Sequence, residues 1–278
     1  MQLWTVLQFL AAPFAASLIL TGIHAYLGVH VVERGVIFVD LSLAQIAALG
    51  ATIALLMPLS GGDPHAPSVY WVSLGFTFIG AAIFSLVRTR KARIPQEAII
   101  GIAYAVASAA AILAMSKSTS QAEHLKDMLV GNIIAVSWDE VGRTAALYGA
   151  IGLFHYVFRR KFLAISLDPQ RAEAEGIPIR LWDFLFYASF GFVVTSSVAI
   201  AGVLLVFCYL IVPSVAAMLY ADRIGARLAI GWTMGTIVSA LGVYLSLILD
   251  LPTGATIVCT FGLVLVLMAA LKPVIVRS

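Results

Sequence analysis

Ser166–Pro178 reads SLDPQRAEAEGIP, a polar stretch set between apolar runs long enough to cross a membrane. It carries Asp168, Arg171, Glu173 and Glu175 within eight positions of one another. An Asp ahead of a Pro is a helix start, because the carboxylate accepts from free N–H groups of the first turn and proline loses nothing at the first helical position. Gly176-Ile177-Pro178 closes the same short helix. A plain turn between membrane spans needs no such shaping. A short amphipathic helix lying flat on the membrane surface, as a docking handle, accounts for it.

Outward from this segment the chain is almost wholly apolar. Of 278 residues, 62% are hydrophobic and 11% are charged. A soluble domain of this size needs far more charge to cover its surface. Each span takes roughly 20 apolar residues and closes its own backbone hydrogen bonds, so the expected fold is an all-α polytopic membrane protein with about eight or nine transmembrane helices. Apolar segments fall at about 5–27, 35–57, 69–88, 97–116, 139–158, 181–200, 202–220, 228–249 and 255–271. The opening MQLWTVLQFL lacks a basic n-region and a small-residue cleavage site, and reads as the first span rather than a signal peptide. Cys208 and Cys259 lie in apolar runs and imply neither a disulfide framework nor a thiolate metal cluster. No GxxxxGK[ST] phosphate loop is present, so the chain does not bind ATP by that route.

Lys and Arg assign sidedness, since cytoplasmic loops collect them. Arg88, Arg90, Lys91 and Arg93 form one cluster, and Arg159, Arg160 and Lys161 form another. Arg223 and Arg227 mark a third loop, and Lys272 and Arg277 mark the tail. Nine alternating spans place all of these on one side, together with Arg34, Arg171 and Arg180; Lys117, Lys126 and Arg143 fall opposite. Residues 159–180 are then cytoplasmic, with the N-terminus outside and the C-terminus inside. The run LVGNIIAV (129–136) is too short to cross and reads as re-entrant or interfacial.

Six segments together carry a family resemblance: LGVHVVERGVIFVD (27–40), PQEAIIGIAYAVASA (95–109), MLVGNIIAVSWDEV (128–141), SLDPQRAEAEGIPIR (166–180), AGVLLVFCYLIVPSVAAML (201–219) and LDLPTGATIV (249–258). In order and spacing the chain resembles the membrane permeases of ABC transporters that import zinc, manganese or iron(II). The resemblance implies a type II ABC importer-like permease fold, with residues 1–278 as one permease domain and 162–180 as its cytoplasmic ATPase-docking loop. Asp168, Pro169, Arg171, Ala172, Glu173, Glu175 and Gly176 then form the docking surface. The implied partners are a cytoplasmic ABC ATPase subunit, an extracytoplasmic metal-binding protein, a second permease, as a homodimer or as a paired permease, and membrane lipids. No resident cofactor, nucleic acid or catalytic residue is implied, and the implied location is the cell membrane.

In one place the chain departs from that family. Its members carry Gly-Asp-Ala-x-x-His in the second span, with Asp and His on one helix face. Here the stretch is VDLSLAQIAALG (39–50), and the two family positions fall on Leu41 and Gln45. An aspartate stands one residue early, at Asp40. At ~100° per residue Asp40 and Gln45 point about 140° apart, and glutamine is a poor zinc ligand. No metal ligand is assigned. Asp40 reads as a pathway ligand or gate, or as a structural partner of Arg34 or of another helix. Gln45 reads as a pathway residue or as helix–helix glue.

Other residues have both readings. His24 and His30, flanking the end of the first span, are possible metal ligands or interfacial groups, and His155 beside Arg159 and Arg160 is expected at the interface. Asp63 with His65, and Glu123, His124 and Asp127, are either solvated outer-loop residues or receivers of metal. Arg34 is expected to pair locally with Glu33, and Asp250 with Pro252-Thr253-Gly254 to form a tight outer turn. Two other function classes compete. An ion-coupled secondary transporter needs several ionisable groups inside the membrane, and Asp40 stands alone. An intramembrane enzyme needs paired carboxylates, a His-rich motif or a Ser/His pair; the spans hold no HExxH and no carboxylate pair. Sidedness is open to direct test: a cysteine at Gln170 should react with an impermeant maleimide only from the cytoplasmic side of the membrane, and labelling of intact cells from outside would overturn the topology.

Overall fold

Hydrocarbon offers the backbone no hydrogen-bond partner, so an apolar run that enters it closes its own ladder as a helix. The computed structural model describes residues 3–61, 63, 66–88, 94–116, 131 and 133–275. Among them are ten α-helices, two 3-10 turns and no strand. In chain order these are α1 (Leu3–Glu33), α2 (Val39–Leu56), α3 (Pro67–Val87), α4 (Gln96–Met115), α5 (Trp138–Val157), α6 (Arg159–Leu167), α7 (Pro169–Ala174), α8 (Ile179–Met218), α9 (Ile224–Leu249) and α10 (Thr253–Ile275). The all-α membrane fold expected from composition is the fold observed.

Among the described residues seven helices are long and apolar enough to cross a membrane: α1, α2, α3, α4, α8, α9 and α10. All nine apolar segments of the sequence are helical, but they are divided differently. The segments at 181–200 and 202–220 both lie in α8, whose 40 residues would span about 60 Å, twice a hydrocarbon core. The helix is broken at Gly202, which takes φ 73° and ψ 161°, a conformation closed to residues with a side chain. The segment at 139–158 is α5, which opens on Asp139, Glu140 and an exposed Arg143–Asp139 pair at 2.8 Å, and is not among the seven. The first span runs on to Glu33 rather than ending near 27, which carries His24 and His30 into the helix.

The chain divides into two compact units. One holds residues 1–32, 129–152 and 199–278. Its helices meet through small residues, as membrane helices do when lipid gives no hydrophobic drive for association. A Cβ on Gly28 would collide with the Leu210 carbonyl and the Ser214 hydroxyl, one on Gly235 with Thr21, and one on Gly242 with Ile257. Tyr209 and Ser239 share a buried hydrogen bond of 2.9 Å, and Tyr209 meets Phe261 edge-on. Of the run LVGNIIAV, Leu129, Val130 and Asn132 lie outside the described residues. Gly131 (φ 64°) packs directly on the backbone of Ala201 and Gly202, and Ile133–Ala135 is a 3-10 turn.

The other unit holds residues 33–128 and 153–198. Gly50 lies against Ser73 and Phe76, and the Ser73 hydroxyl donates to the Ala47 carbonyl at 2.7 Å, which clamps α3 to α2. Thr77 and Thr195 share a hydrogen bond of 3.2 Å. Phe84, Phe162, Phe186, Tyr187 and Phe190 are fully buried and form its aromatic core. Large apolar side chains stand on the outside of both units, Trp71, Leu113, Leu153 and Val266 among them. In water this would be a defect; against lipid tails it costs nothing.

The close approach at Gly28 generates a prediction. Gly28→Ala should destabilise the protein by about 1–3 kcal/mol through overpacking against Leu210 and Ser214. Gly22→Ala in the same helix, where a Cβ meets open space, should not. Thermal unfolding of the two variants in detergent checks this.

Candidate functional site

The segment expected to dock a partner is built from local signals. The Asp168 carboxylate accepts from the Arg171 N–H at 3.0 Å and caps α7, with Pro169 as its first residue. At the other end the Gly176 N–H donates to the Glu173 carbonyl and the Ile177 N–H to the Ala172 carbonyl, both at 3.0 Å, with Gly176 left-handed at φ 76°. This is a Schellman closure, which only glycine adopts without strain. Arg171 Nε donates to Glu175 Oε1 at 2.8 Å along the exposed face, and that bond holds the Arg171 guanidinium above its ordinary pKa. Arg171, Glu173 and Glu175 face outward. Ala172 does not: it is fully buried, so it anchors α7 from beneath and its side chain is no part of the exposed surface.

Behind this helix lies a cluster that sequence reasoning missed. Asp183, near the start of α8, is fully buried. Arg34 Nη1 donates to its Oδ1 at 2.7 Å, and Arg88 Nη1 donates to Oδ1 at 2.7 Å and to Oδ2 at 2.8 Å. The Arg34 guanidinium lies over the Phe186 ring at 4.0 Å. Burial lowers the Arg34 pKa from its ordinary value, and Asp183 opposes that shift. The expected pairing of Arg34 with Asp40 does not form; Arg34 takes a partner 149 residues away. A signal existed: Asp183 is a carboxylate inside an apolar run, and such groups need a cation.

Asp40, the second residue of α2, is 1% exposed, and neither carboxylate oxygen has a hydrogen-bond partner among the described residues. It sits in the first helical turn, where the helix dipole favours a negative charge. Beside it the Phe38 N–H donates to Glu97 Oε1 at 2.9 Å, satisfying one of the free donors at that helix end. Gln45 is buried in the same helix. The helix is regular from Val39 to Leu56, so Asp40 and Gln45 keep their wide angular separation and do not converge.

His24, His30 and His155 are interior residues. His24 and His30 are buried within α1; His24 Nδ1 lies 2.8 Å from the Leu20 carbonyl and its ring meets Tyr148 edge-on. His155, expected at the interface, is instead buried, hydrogen-bonded through Nε2 to the Ser189 hydroxyl at 2.8 Å and stacked on Phe162. Among the described residues no three His, Cys, Asp or Glu side chains gather around a point that could hold a metal ion. Asp63 is exposed, while His65, Glu123, His124 and Asp127 lie outside the described residues. Asp250 caps α9 in a left-handed conformation, and Ser246 bonds to Thr253 at 2.7 Å, which makes that turn architectural.

Comparison with known proteins agrees with this architecture. The chain is 25% identical to the manganese transport system membrane protein MntC of Halalkalibacterium halodurans, over 90% of this chain and 83% of that protein. It is 26% identical to the chelated iron transport system membrane protein YfeC of Yersinia pestis, over 90% of this chain and 82% of that one. The structure of PsaBC from Streptococcus pneumoniae in complex with Fab superposes with a TM-score of 0.77 at 23% identity, covering 94% of this chain and 92% of the other, a likeness of fold. The family model of the ABC 3 transport family matches residues 6–272, and the chain belongs to that family of multi-pass membrane permeases.

Proposed function

We propose that this chain is the permease subunit of an ABC importer for a divalent transition metal, with zinc, manganese and iron(II) as the candidate cargoes. The observation that carries the reading is α7: a helix capped at both ends, anchored through Ala172 and presenting Arg171, Glu173 and Glu175 to the outside. Relatives named for manganese and iron transport support the cargo class. With no phosphate loop in its sequence, the chain takes its power from a separate cytoplasmic ATPase seated on the exposed face of α7, within the loop 162–180. An extracytoplasmic binding protein delivers the metal, and a second permease copy completes the pore.

Within the spans, Asp40 and Gln45 are the proposed pathway residues. A divalent cation passing Asp40 gains a hard oxygen ligand. The carboxylate has no hydrogen-bond partner among the described residues to give up, so binding the cation relieves an unmet charge rather than breaking a bond. The family's Asp and His positions are Leu41 and Gln45 here, so Asp40 is the only acidic group on this stretch of α2.

Two experiments test this reading. Glu173→Arg combined with Glu175→Arg reverses the exposed charge of α7 without touching a span. Membrane insertion should persist while affinity for the cognate ATPase falls at least about tenfold, measured by co-purification; unchanged association would remove α7 from the mechanism. Asp40→Asn keeps the size of the side chain and removes its charge. At matched membrane abundance, metal uptake should fall at least about tenfold, the equivalent of one charge-assisted contact; normal uptake would make Asp40 a packing residue.

A further inference from the structure

Neutralising Asp183 takes one cation, yet two converge on it. The Arg34 side chain is 1% exposed and that of Arg88 is 19% exposed, so the second guanidinium is largely desolvated with no second carboxylate paired to it among the described residues. What the second arginine adds is connection. Each has a further hold, and both holds fall at the root of α7. Arg34 Nε donates to the Ser166 hydroxyl at 2.8 Å, and Arg88 Nη2 reaches the Ile165 carbonyl at 3.4 Å. Ser166 and Ile165 end α6 just before Asp168, the residue that caps α7.

The same two arginines stand at the ends of other elements. Arg88 terminates α3. Arg34 begins the turn 34–38, which enters α2 at Val39, and Asp40 is the next residue. Arg34 has little freedom to slip, because its guanidinium lies on Phe186 and is held by both Asp183 and Ser166. Charge-assisted hydrogen bonds are short and directional, so a displacement of Ser166 either carries Arg34 with it or breaks the bond.

We infer that Arg34, Arg88 and Asp183 form the coupling relay of this permease, joining the root of the docking helix to the turn ahead of α2 and to the end of α3. They are positioning residues, acting on Asp40 through the backbone of the turn 34–38. The inference rests on the reading of α7 as the ATPase-docking helix. It adds that the docking helix is wired to one particular carboxylate and does not act on the membrane helices at large.

The test uses the complete transporter with its ATPase, carrying Ile37→Cys as a reporter in the exposed part of the turn. ATP should change the maleimide reactivity of that cysteine. In the R88Q/S166A background, which keeps the Arg34–Asp183 pair but removes the Arg88 contacts and the Ser166 hydroxyl, ATPase association and ATP hydrolysis should persist while the ATP-driven change is lost. Manganese taken up per ATP should fall at least about tenfold. S166A alone, which alters no charge, carries the same readout should the double variant not reach the membrane, and S166T with Arg88 intact should remain coupled. A reactivity change that persists in the variants, or that ATP fails to produce in the unsubstituted background, overturns the relay. The E173R/E175R variant separates the two ideas: if it loses the ATPase while R88Q/S166A stays coupled, docking stands and the relay falls. If it binds the ATPase normally, the docking reading falls and the relay with it.

Discussion

A carboxylate buried inside a membrane protein is costly unless positive charge answers it, and at Asp183 two guanidiniums do so. Removing one partner from a buried pair costs about 3–5 kcal/mol, because the remaining charge is left without water or counterion. Answering the Asp183 charge draws Arg34 and Arg88 from distant parts of the sequence to one point beside Phe186. Phe162 and Ile165 of α6 are fully buried in the same unit, and Ser166 is bonded to Arg34. The position of α6, and with it the root of α7, follows from how that one charge is satisfied.

Asp40 is handled in the opposite way. It is as deeply buried as Asp183, but its oxygens have no partner among the described residues. Buried polar groups are almost always paired, and intramembrane carboxylates that are not tend to mark a pathway. The two aspartates therefore differ: Asp183 is engaged by two guanidiniums, and Asp40 is left without a hydrogen-bond partner among the described residues. That contrast, more than the presence of a carboxylate, supports the proposed pathway role of Asp40.

Away from these charges, packing is a matter of small residues and close backbones. Gly28, Gly50, Gly235 and Gly242 each stand where a Cβ would strike a neighbouring helix. Gly131 does the same at the break in α8, where Gly202 leaves the helical conformation. Lipid competes for apolar side chains as well as protein does, so helices hold together where their backbones approach most closely. The apolar side chains on the outside follow from the same solvent.

The sequence by itself determined the solvent class, the helical architecture and the form of α7. The first two follow from composition and run length, since hydrocarbon permits an apolar span to be little other than a helix. The third follows because Asp168 and Gly176 act on backbone groups only a few residues away. Tertiary structure alone decided which side chains are partners. Arg34 and Arg88 lie 149 and 95 residues from Asp183, and no local pattern encodes that choice. Ala172 is turned inward and His155 is buried against Phe162 and Ser189, because burial is set by what packs on a residue once the bundle is assembled. Whether a carboxylate is answered or left open is likewise a property of the assembled bundle, so Asp40 and Asp183 look alike as letters and differ only once their neighbours are in place.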